Sequence, residues 1–135
     1  MEKINLLIFI DDDYATNFYH KVIVRDSGLV DKFLFFSTAK EALTYFTEQK
    51  EAGNWEKPDA IFLDINMPEI NGWEFLDLYA ETDIDKAPIY IMLTTSLNPD
   101  DMEKAELNPL VRGLKNKPLT EAHLKEIQAD LNVIA

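Results

Sequence analysis

Three carboxylates that follow two apolar runs are the residues in this sequence best suited to chemistry. Apolar residues 6–10 lead directly into Asp11 and Asp12, and apolar residues 60–63 lead directly into Asp64. Two like charges about 4 Å apart repel by roughly 4 kcal/mol at an effective dielectric constant near 20, so acids brought together favour a bound cation. A hard ion such as Mg²⁺ prefers oxygen ligands of this kind. A carboxylate beside that ion can attack phosphorus and form an acyl phosphate.

Two further polar residues follow other apolar or mixed segments. Thr94 follows residues 89–93, and Lys117 follows residues 111–116, a weaker segment with a glycine and two charges. Each of these residues also has an ordinary interpretation, as a helix cap, a loop hydroxyl or a solvated charge. Because four segments all end in such groups, we interpret them as one site in which a metal, a lysine and a hydroxyl position phosphoryl oxygens.

The elements that would position these residues follow from the pattern of apolar side chains. Continuous apolar runs are typical of strands buried on both faces of a parallel sheet. We predict strands at 6–10, 33–36, 60–64, 89–93 and 111–116, each followed by a helix. The first helix is predicted over about 14–27, capped by Asp13 and with Phe18 and Val22 on one face. This alternation indicates a doubly wound parallel α/β sheet, whose strand ends share one rim.

Composition excludes several classes of function. There are 25 acidic and 13 basic residues, a formal net charge of −12, which argues against binding to nucleic acid or to anionic membranes. The chain has no cysteine, so no disulfide, thiolate nucleophile or cysteine zinc site is expected. The first residues lack the features of a signal peptide, and no stretch approaches the roughly 18 apolar residues of a membrane span. We expect one cytoplasmic domain over residues 1–135.

Taken in chain order, these segments resemble the receiver domain of two-component response regulators, in particular the single-domain, chemotaxis-regulator-like members. The similarity covers the whole chain and depends on residues 8–13, 64–72 and 92–94 and on the Lys117–Pro118 step. It implies a flavodoxin-like fold, a five-stranded sheet of order 2-1-3-4-5 with five helices. It also implies a switch in a phosphorelay rather than a turnover enzyme, a monomer or weak dimer, and no attached effector domain.

The same resemblance assigns the metal and phosphoacceptor roles. Asp64 would accept a phosphoryl group from a histidine kinase or a histidine phosphotransfer protein, and the phosphorylated form would signal through a protein partner. Mg²⁺ would be held by Asp11, Asp12, Asp64 and the backbone carbonyl of Asn66.

The phosphoryl-binding and switch residues implied by the resemblance are Thr94, Thr95 and Lys117. The Lys117–Pro118 bond is expected to be cis, against about 5–6% of X-Pro bonds in general. Thr95 replaces the usual alanine. Leu114 stands at the output position, where the family usually has an aromatic ring, so we expect the signal to pass mainly through Thr94 and residues 95–99.

Other interpretations remain open at this point. A phosphatase of the haloacid dehalogenase type would need a second aspartate at the place of Asn66. A flavin-binding electron carrier would need a Ser/Thr/Gly-rich loop where residues 11–13 are acidic. A receiver-like protein that is never phosphorylated is a further alternative. His20 and His123 are expected to be surface or capping residues. The sequence identifies neither the cognate kinase nor the downstream target.

Overall fold

The structure, a computed structural model, describes residues 3–94 and 97–134, with side chains described as far as residue 131. Strands and helices alternate along this part of the chain. The elements are β1 (Ile4–Ile10), α1 (Tyr14–Ser27), β2 (Val30–Phe36), α2 (Ala39–Glu51), β3 (Ala60–Asp64), α3 (Gly72–Glu81), β4 (Ile89–Leu93), α4 (Pro99–Leu107), β5 (Val111–Asn116) and α5 (Glu121–Ile134).

The five strands form one parallel sheet in the order β2-β1-β3-β4-β5. This confirms the predicted doubly wound, flavodoxin-like architecture. The one substantial difference in a strand boundary is in β2, which begins at Val30 rather than at Phe33. The apolar pattern does not predict residues 30–32 as strand, because Asp31 and Lys32 interrupt the apolar run. Both are exposed on a strand at the edge of the sheet, where charged side chains can remain in water.

Alternate side chains of the central strands enter two separate cores, one on each face of the sheet. Ile8, Ile61 and Ile91 pack with residues of α2, α3 and α4. Phe9, Phe62 and other residues of the same strands pack with α1 and α5. Because the central strands are buried on both faces, they read as continuous apolar runs, and their ends are fixed relative to one another.

A row of stacked rings crosses the sheet on the α1 and α5 side. Phe35 of β2 stacks on Phe9 of β1 at 4.6 Å between ring centroids. Phe9 stacks on Phe62 of β3 at 4.9 Å, and Phe62 on Tyr90 of β4 at 5.7 Å. These rings are cross-strand partners in the register of the sheet, so the row helps to fix that register.

Helix α1 begins as predicted but buries a different face. Asp13 caps it, and its side chain accepts hydrogen bonds from the backbone N–H groups of Ala15 and Thr16. The buried residues are His20 and Val24, whereas Phe18 is 62% exposed. Histidine counts as polar in an apolar pattern, so the i, i+4 pair His20 and Val24 that faces the core gives no periodic apolar signal.

Among the residues the structure describes, no helix combines the length and apolarity needed to cross a membrane.

Candidate functional site

Asp11, Asp12 and Asp64 lie together at the carboxyl ends of β1 and β3. Each offers one carboxylate oxygen, and these oxygens all lie within 4.8 Å of one another. The two strands pair in parallel through Ile10 and Leu63, so the acids that follow are at the same height on the sheet. Asp11 is 5% and Asp64 9% exposed, whereas Asp12 is open to solvent. An all-oxygen donor set of this size fits a hard divalent cation such as Mg²⁺ or Mn²⁺.

Lys117 brings a positive charge into this acidic cluster. Its Nζ lies 2.5 Å from Oδ2 of Asp11 and 3.6 Å from Oδ1 of Asp64. The Lys117 side chain is only 10% exposed. Its backbone N–H donates to the carbonyl of Leu93 at 2.7 Å, which extends the β4–β5 pairing up to the site. One lysine therefore faces three carboxylates.

The surroundings of Asp64 raise its pKa to about 6. Burial is the main cause, and the neighbouring Asp11 carboxylate adds to it. Lys117 and the N–H of Asn66, which donates to Asp64 Oδ1 at 3.3 Å, act in the opposite direction. The negative charge on Asp64 is thus only partly compensated by the protein, and a divalent cation would complete that compensation.

Helix α1 holds the acidic segment that precedes it. The Asn17 side-chain amide donates to the backbone carbonyl of Asp11 at 2.8 Å. The backbone N–H of Asp13 donates to Oδ1 of Asp11 at 2.9 Å, while the Asp13 carboxylate caps the helix. Asp13 therefore has a structural role, and Asp11 and Asp12 are left to face Asp64.

The loop after Asp64 folds back tightly against it. The N–H of Gly72 donates to the carbonyl of Ile65 at 2.8 Å. A Cβ on Gly72 would lie 2.7 Å from the Ile65 Cα and 2.8 Å from the Asp64 backbone oxygen, distances that side-chain carbons essentially never adopt. Glu69 takes a left-handed conformation in the same loop, with φ of 66°. The Asn71–Gly72 turn signal in the sequence thus marks a close approach of α3 to the phosphoacceptor candidate.

The other predicted site residues lie at or near the same rim. Thr94 is exposed and lines a surface cavity of about 350 Å³ together with Lys117, Pro118 and Tyr19. The Lys117–Pro118 peptide bond is cis. Asn66 is exposed directly beyond Asp64.

Two predicted positions remain, the output position Leu114 and the switch residue Thr95. Leu114 is half-buried and packs against the core on the α2, α3 and α4 side, so it takes no part in the acidic cluster. Thr95 and the neighbouring Ser96 lie outside the described residues.

The expectation that His20 is a surface or capping residue is wrong. His20 is 2% exposed, and its Nε2 accepts the backbone N–H of Leu119 at 3.0 Å. No local signal marks this contact, because Leu119 is 99 residues away in sequence. His123 does cap a helix: its Nδ1 accepts the N–H of Thr120, whose hydroxyl accepts the N–H of His123.

Comparisons with known proteins agree on one family. A family model described as the response regulator receiver domain matches residues 7–129. The crystal structure of a two-component response regulator from Cytophaga hutchinsonii has a TM-score of 0.84 and 34% sequence identity, covering 97% of this chain and 99% of that one.

More distant relatives are also response regulators. Response regulator Rcp1 from Synechocystis is 26% identical over 98 residues, which span 72% of this chain and 66% of that protein, just under two thirds of its length. The Mn²⁺-bound form of response regulator Rcp1 has a TM-score of 0.68 at 23% identity, covering 92% of this chain and 89% of that one. With the acidic cluster and the strand order, the family model over residues 7–129 and the Cytophaga hutchinsonii structure establish that the chain belongs to the response regulator receiver domain family of two-component signalling proteins.

Proposed function

We propose that this protein is the phosphoacceptor of a phosphorelay, and that Asp64 takes a phosphoryl group from a histidine kinase or a histidine phosphotransfer protein in a Mg²⁺-dependent reaction. The observation that carries the proposal is the convergence of Asp11, Asp12 and Asp64 around the Lys117 ammonium. Membership of the receiver family supports it, because receiver domains act as signalling switches.

The chemistry assigned to each residue follows from its charge and place. An oxygen of the Asp64 carboxylate attacks phosphorus, the phosphorus–nitrogen bond of the donor phosphohistidine breaks, and its electron pair returns to the imidazole, which takes up a proton. Lys117 and the hydroxyl of Thr94 bind phosphoryl oxygens of the product, an acyl phosphate. Thr95 follows Thr94 in the sequence and is assigned to the same phosphoryl-binding group.

The metal-binding residues of the proposal are Asp11, Asp12, Asp64 and the backbone carbonyl of Asn66. Bound there, Mg²⁺ would neutralise phosphoryl oxygens as charge develops on them. The all-oxygen donor set and the raised pKa of Asp64 support a divalent cation at this place. The Mn²⁺-bound form of Rcp1 is a relative in which a divalent ion has been observed. We assign Mg²⁺ because it is the ion that commonly accompanies phosphate chemistry in proteins.

The proposed output is recognition of the phosphorylated form by a protein partner, not turnover of a substrate. A phosphatase of the haloacid dehalogenase type would need an acid in the place where this chain has Asn66, whose amide cannot donate a proton as a general acid. We expect a cytoplasmic protein, monomeric or weakly dimeric, that binds neither nucleic acid nor membranes, in keeping with its net charge of −12.

The test is intact-mass spectrometry after incubation with a small phosphodonor, such as acetyl phosphate or phosphoramidate, and Mg²⁺. We expect one added phosphoryl group in the wild type and none in Asp64→Asn or in excess chelator. Asp13→Asn is the matched control, because it removes a charge from the same acidic run while keeping a good helix cap. It should be phosphorylated like the wild type. A phosphoryl adduct that persists in Asp64→Asn, or forms equally in chelator, would overturn the proposal.

A further inference from the structure

The buried side chain of His20 connects helix α1 to the segment that carries Lys117. Its Nε2 accepts the N–H of Leu119, two residues after Lys117, at 3.0 Å. The imidazole lies beside Phe9, with 5.9 Å between ring centroids, and beside Tyr19 at 6.3 Å. A polar ring with 2% exposure in an aromatic setting must satisfy its hydrogen-bonding groups within the protein.

The hydrogen bond to Leu119 defines the chemical form of this histidine. A ring nitrogen that accepts an N–H carries no proton, so the neutral tautomer has its proton on Nδ1. Burial lowers the pKa of His20 to about 4, a direction that Lys117 reinforces and Asp11 opposes. His20 is therefore a neutral acceptor at neutral pH, and its ring orientation is fixed by its partner.

Both backbone N–H groups available in residues 117–119 are anchored. Lys117 donates to the Leu93 carbonyl at 2.7 Å, Leu119 donates to His20, and Pro118 has no N–H to donate. The first anchor belongs to the sheet. The second belongs to helix α1, so the position of the lysine segment depends on where α1 lies.

Helix α1 also contacts Asp11, the nearer carboxylate partner of Lys117. Asn17, one turn before His20, donates to the backbone carbonyl of Asp11 at 2.8 Å. Residues three apart on a helix lie on the same side. One side of α1 thus contacts the backbone of Asp11 through Asn17 and the backbone of Leu119 through His20. Between these two contacts, Nζ of Lys117 lies 2.5 Å from Oδ2 of Asp11.

We propose that His20 is a positioning residue that sets the Lys117 ammonium against Asp11 and Asp64 by holding the Leu119 N–H. The proposal rests on the proposed function, since positioning the lysine matters for phosphoryl transfer. Loss of the acceptor would let residues 117–119 shift away from α1, and small displacements of a group that binds the reacting phosphoryl oxygens are costly to rate.

Three variants separate positioning from packing. His20→Phe keeps a ring beside Phe9 and removes the acceptor, whereas His20→Gln keeps an acceptor oxygen on a flexible chain. Val24→Ala is the matched control, because Val24 is fully buried one turn further along the same face of α1 and belongs to the same core. It should destabilise this core, to which Leu119 also belongs, while leaving His20 in place as the acceptor of the Leu119 N–H.

Two measurements are made on each folded variant. The first is the rate of phosphorylation by a small phosphodonor at saturating Mg²⁺, which we expect to fall roughly tenfold or more in His20→Phe. His20→Gln should recover most of this loss, and Val24→Ala should keep the wild-type rate. In a Lys117→Ala background, His20→Phe should have little further effect, because both changes act through the same ammonium. Equal slowing in Val24→Ala, or additive effects with Lys117→Ala, would overturn the proposal.

The second measurement uses NMR in excess chelator and does not depend on phosphorylation. We expect slow hydrogen exchange at the Leu119 amide in the wild type, and faster exchange together with changed Lys117 side-chain signals in His20→Phe. A Leu119 amide that exchanges freely in the folded wild type would overturn the positioning role, even if the His20 variants do not fold. A wild type that shows the protected amide but is not phosphorylated would instead contradict the proposed function.

Discussion

Lys117 lies closer to Asp11 than to Asp64: its Nζ is 2.5 Å from one carboxylate and 3.6 Å from the other. The cation is therefore paired mainly with a proposed metal ligand and only partly with the proposed phosphoacceptor. Burial, with a contribution from Asp11, raises the pKa of Asp64 to about 6, and Lys117 offsets this only in part because it pairs mainly with Asp11. The ionised Asp64 carboxylate therefore lowers the free energy of unfolding at neutral pH.

Neutralising Asp64 should stabilise the protein in excess chelator. Because the pKa of Asp64 is raised from 3.8 to about 6, the folded state binds the proton more tightly than the unfolded state does. The contribution of Asp64 to the free energy of unfolding therefore falls as pH rises from about 4 to 6. At neutral pH the carboxyl is ionised, and its destabilising effect on the folded state has reached its full size. We expect Asp64→Asn, and Asp12→Asn in the same cluster, to raise the free energy of unfolding by on the order of 1 kcal/mol.

Thermal or denaturant melts with and without Mg²⁺ check this prediction. Mg²⁺ should stabilise the wild type by mass action and the two variants much less. Asp13→Asn should behave like the wild type, because Asp13 caps α1 instead of joining the cluster. Equal Mg²⁺-induced shifts in all four proteins would mean that Asp12 and Asp64 do not share an ion.

Gly72→Ala should damage both stability and phosphorylation. The new Cβ would stand 2.7 Å from the Ile65 Cα and 2.8 Å from the Asp64 oxygen, and backbone atoms cannot move aside as a flexible side chain can. We expect a loss of about 2 kcal/mol in the free energy of unfolding. We also expect slower phosphorylation, because the clash displaces Asp64 itself.

Gly53→Ala is the control for this substitution. Gly53 has a φ of 74° but open space around its Cα, so alanine there strains the backbone without a clash. It should cost about 1 kcal/mol and leave the phosphorylation rate unchanged. If the two variants slow phosphorylation equally, the close approach at Gly72 has no special role in placing Asp64.

His20 should make the fold less stable in mild acid. Its pKa is lowered from 6.5 to about 4, mainly by burial, with Lys117 and His123 adding to the effect and Asp11 opposing it. The unfolded state thus binds more protons between these values, so stability rises with pH across this window and is lost as pH falls.

Comparison of the wild type with His20→Phe measures this effect, and repeating it in an Asp64→Asn background removes any change in Asp64 titration that a shift of Lys117 would cause. Between pH 7 and pH 5 the wild type should lose on the order of 1–2 kcal/mol more than His20→Phe. Denaturant melts in excess chelator measure it. His123→Gln removes the other histidine, whose pKa burial also lowers, but His123 is only half-buried, so this variant should change the pH profile less than His20→Phe does. Identical pH profiles for the wild type and His20→Phe would show that His20 does not titrate with a lowered pKa.

The residues that could be predicted from sequence are those that close apolar runs. Asp11, Asp64 and Thr94 were identifiable because a parallel sheet buries its central strands on both faces, so that each apolar run has a visible end. Lys117 is different, because it follows the mixed edge strand β5 and was indicated mainly by the Lys117–Pro118 step. His20 was not identifiable. Its partner is a backbone N–H, which every residue except proline carries, and the pairing depends on how α1 packs beside the segment leading into α5. Phe18 illustrates the same limit, because periodicity alone did not show which of two faces of α1 is buried.

The last prediction concerns the route of the signal. Leu114 replaces the aromatic ring expected at the output position, and its side chain has no polar end that could exchange hydrogen bonds. In the structure it is half-buried against the core on the α4 side, where neighbouring side chains restrict it. We therefore expect phosphorylation to act mainly through Thr94 and residues 95–99, and to change the surface formed by α4, β5 and α5.

Methyl and backbone NMR with and without beryllofluoride and Mg²⁺ tests this route. The amides of Thr94 and residues 95–99 should shift strongly, because the phosphoryl mimic must favour one loop arrangement by its binding free energy. The Leu114 methyls should keep their rotamer, and Leu114→Ala should still be phosphorylated at Asp64. The buried methyls of Leu124, in the opposite core, serve as the internal reference. A full rotamer exchange at Leu114 with unchanged amides at residues 95–99 would show that the signal passes through β5 despite the missing ring.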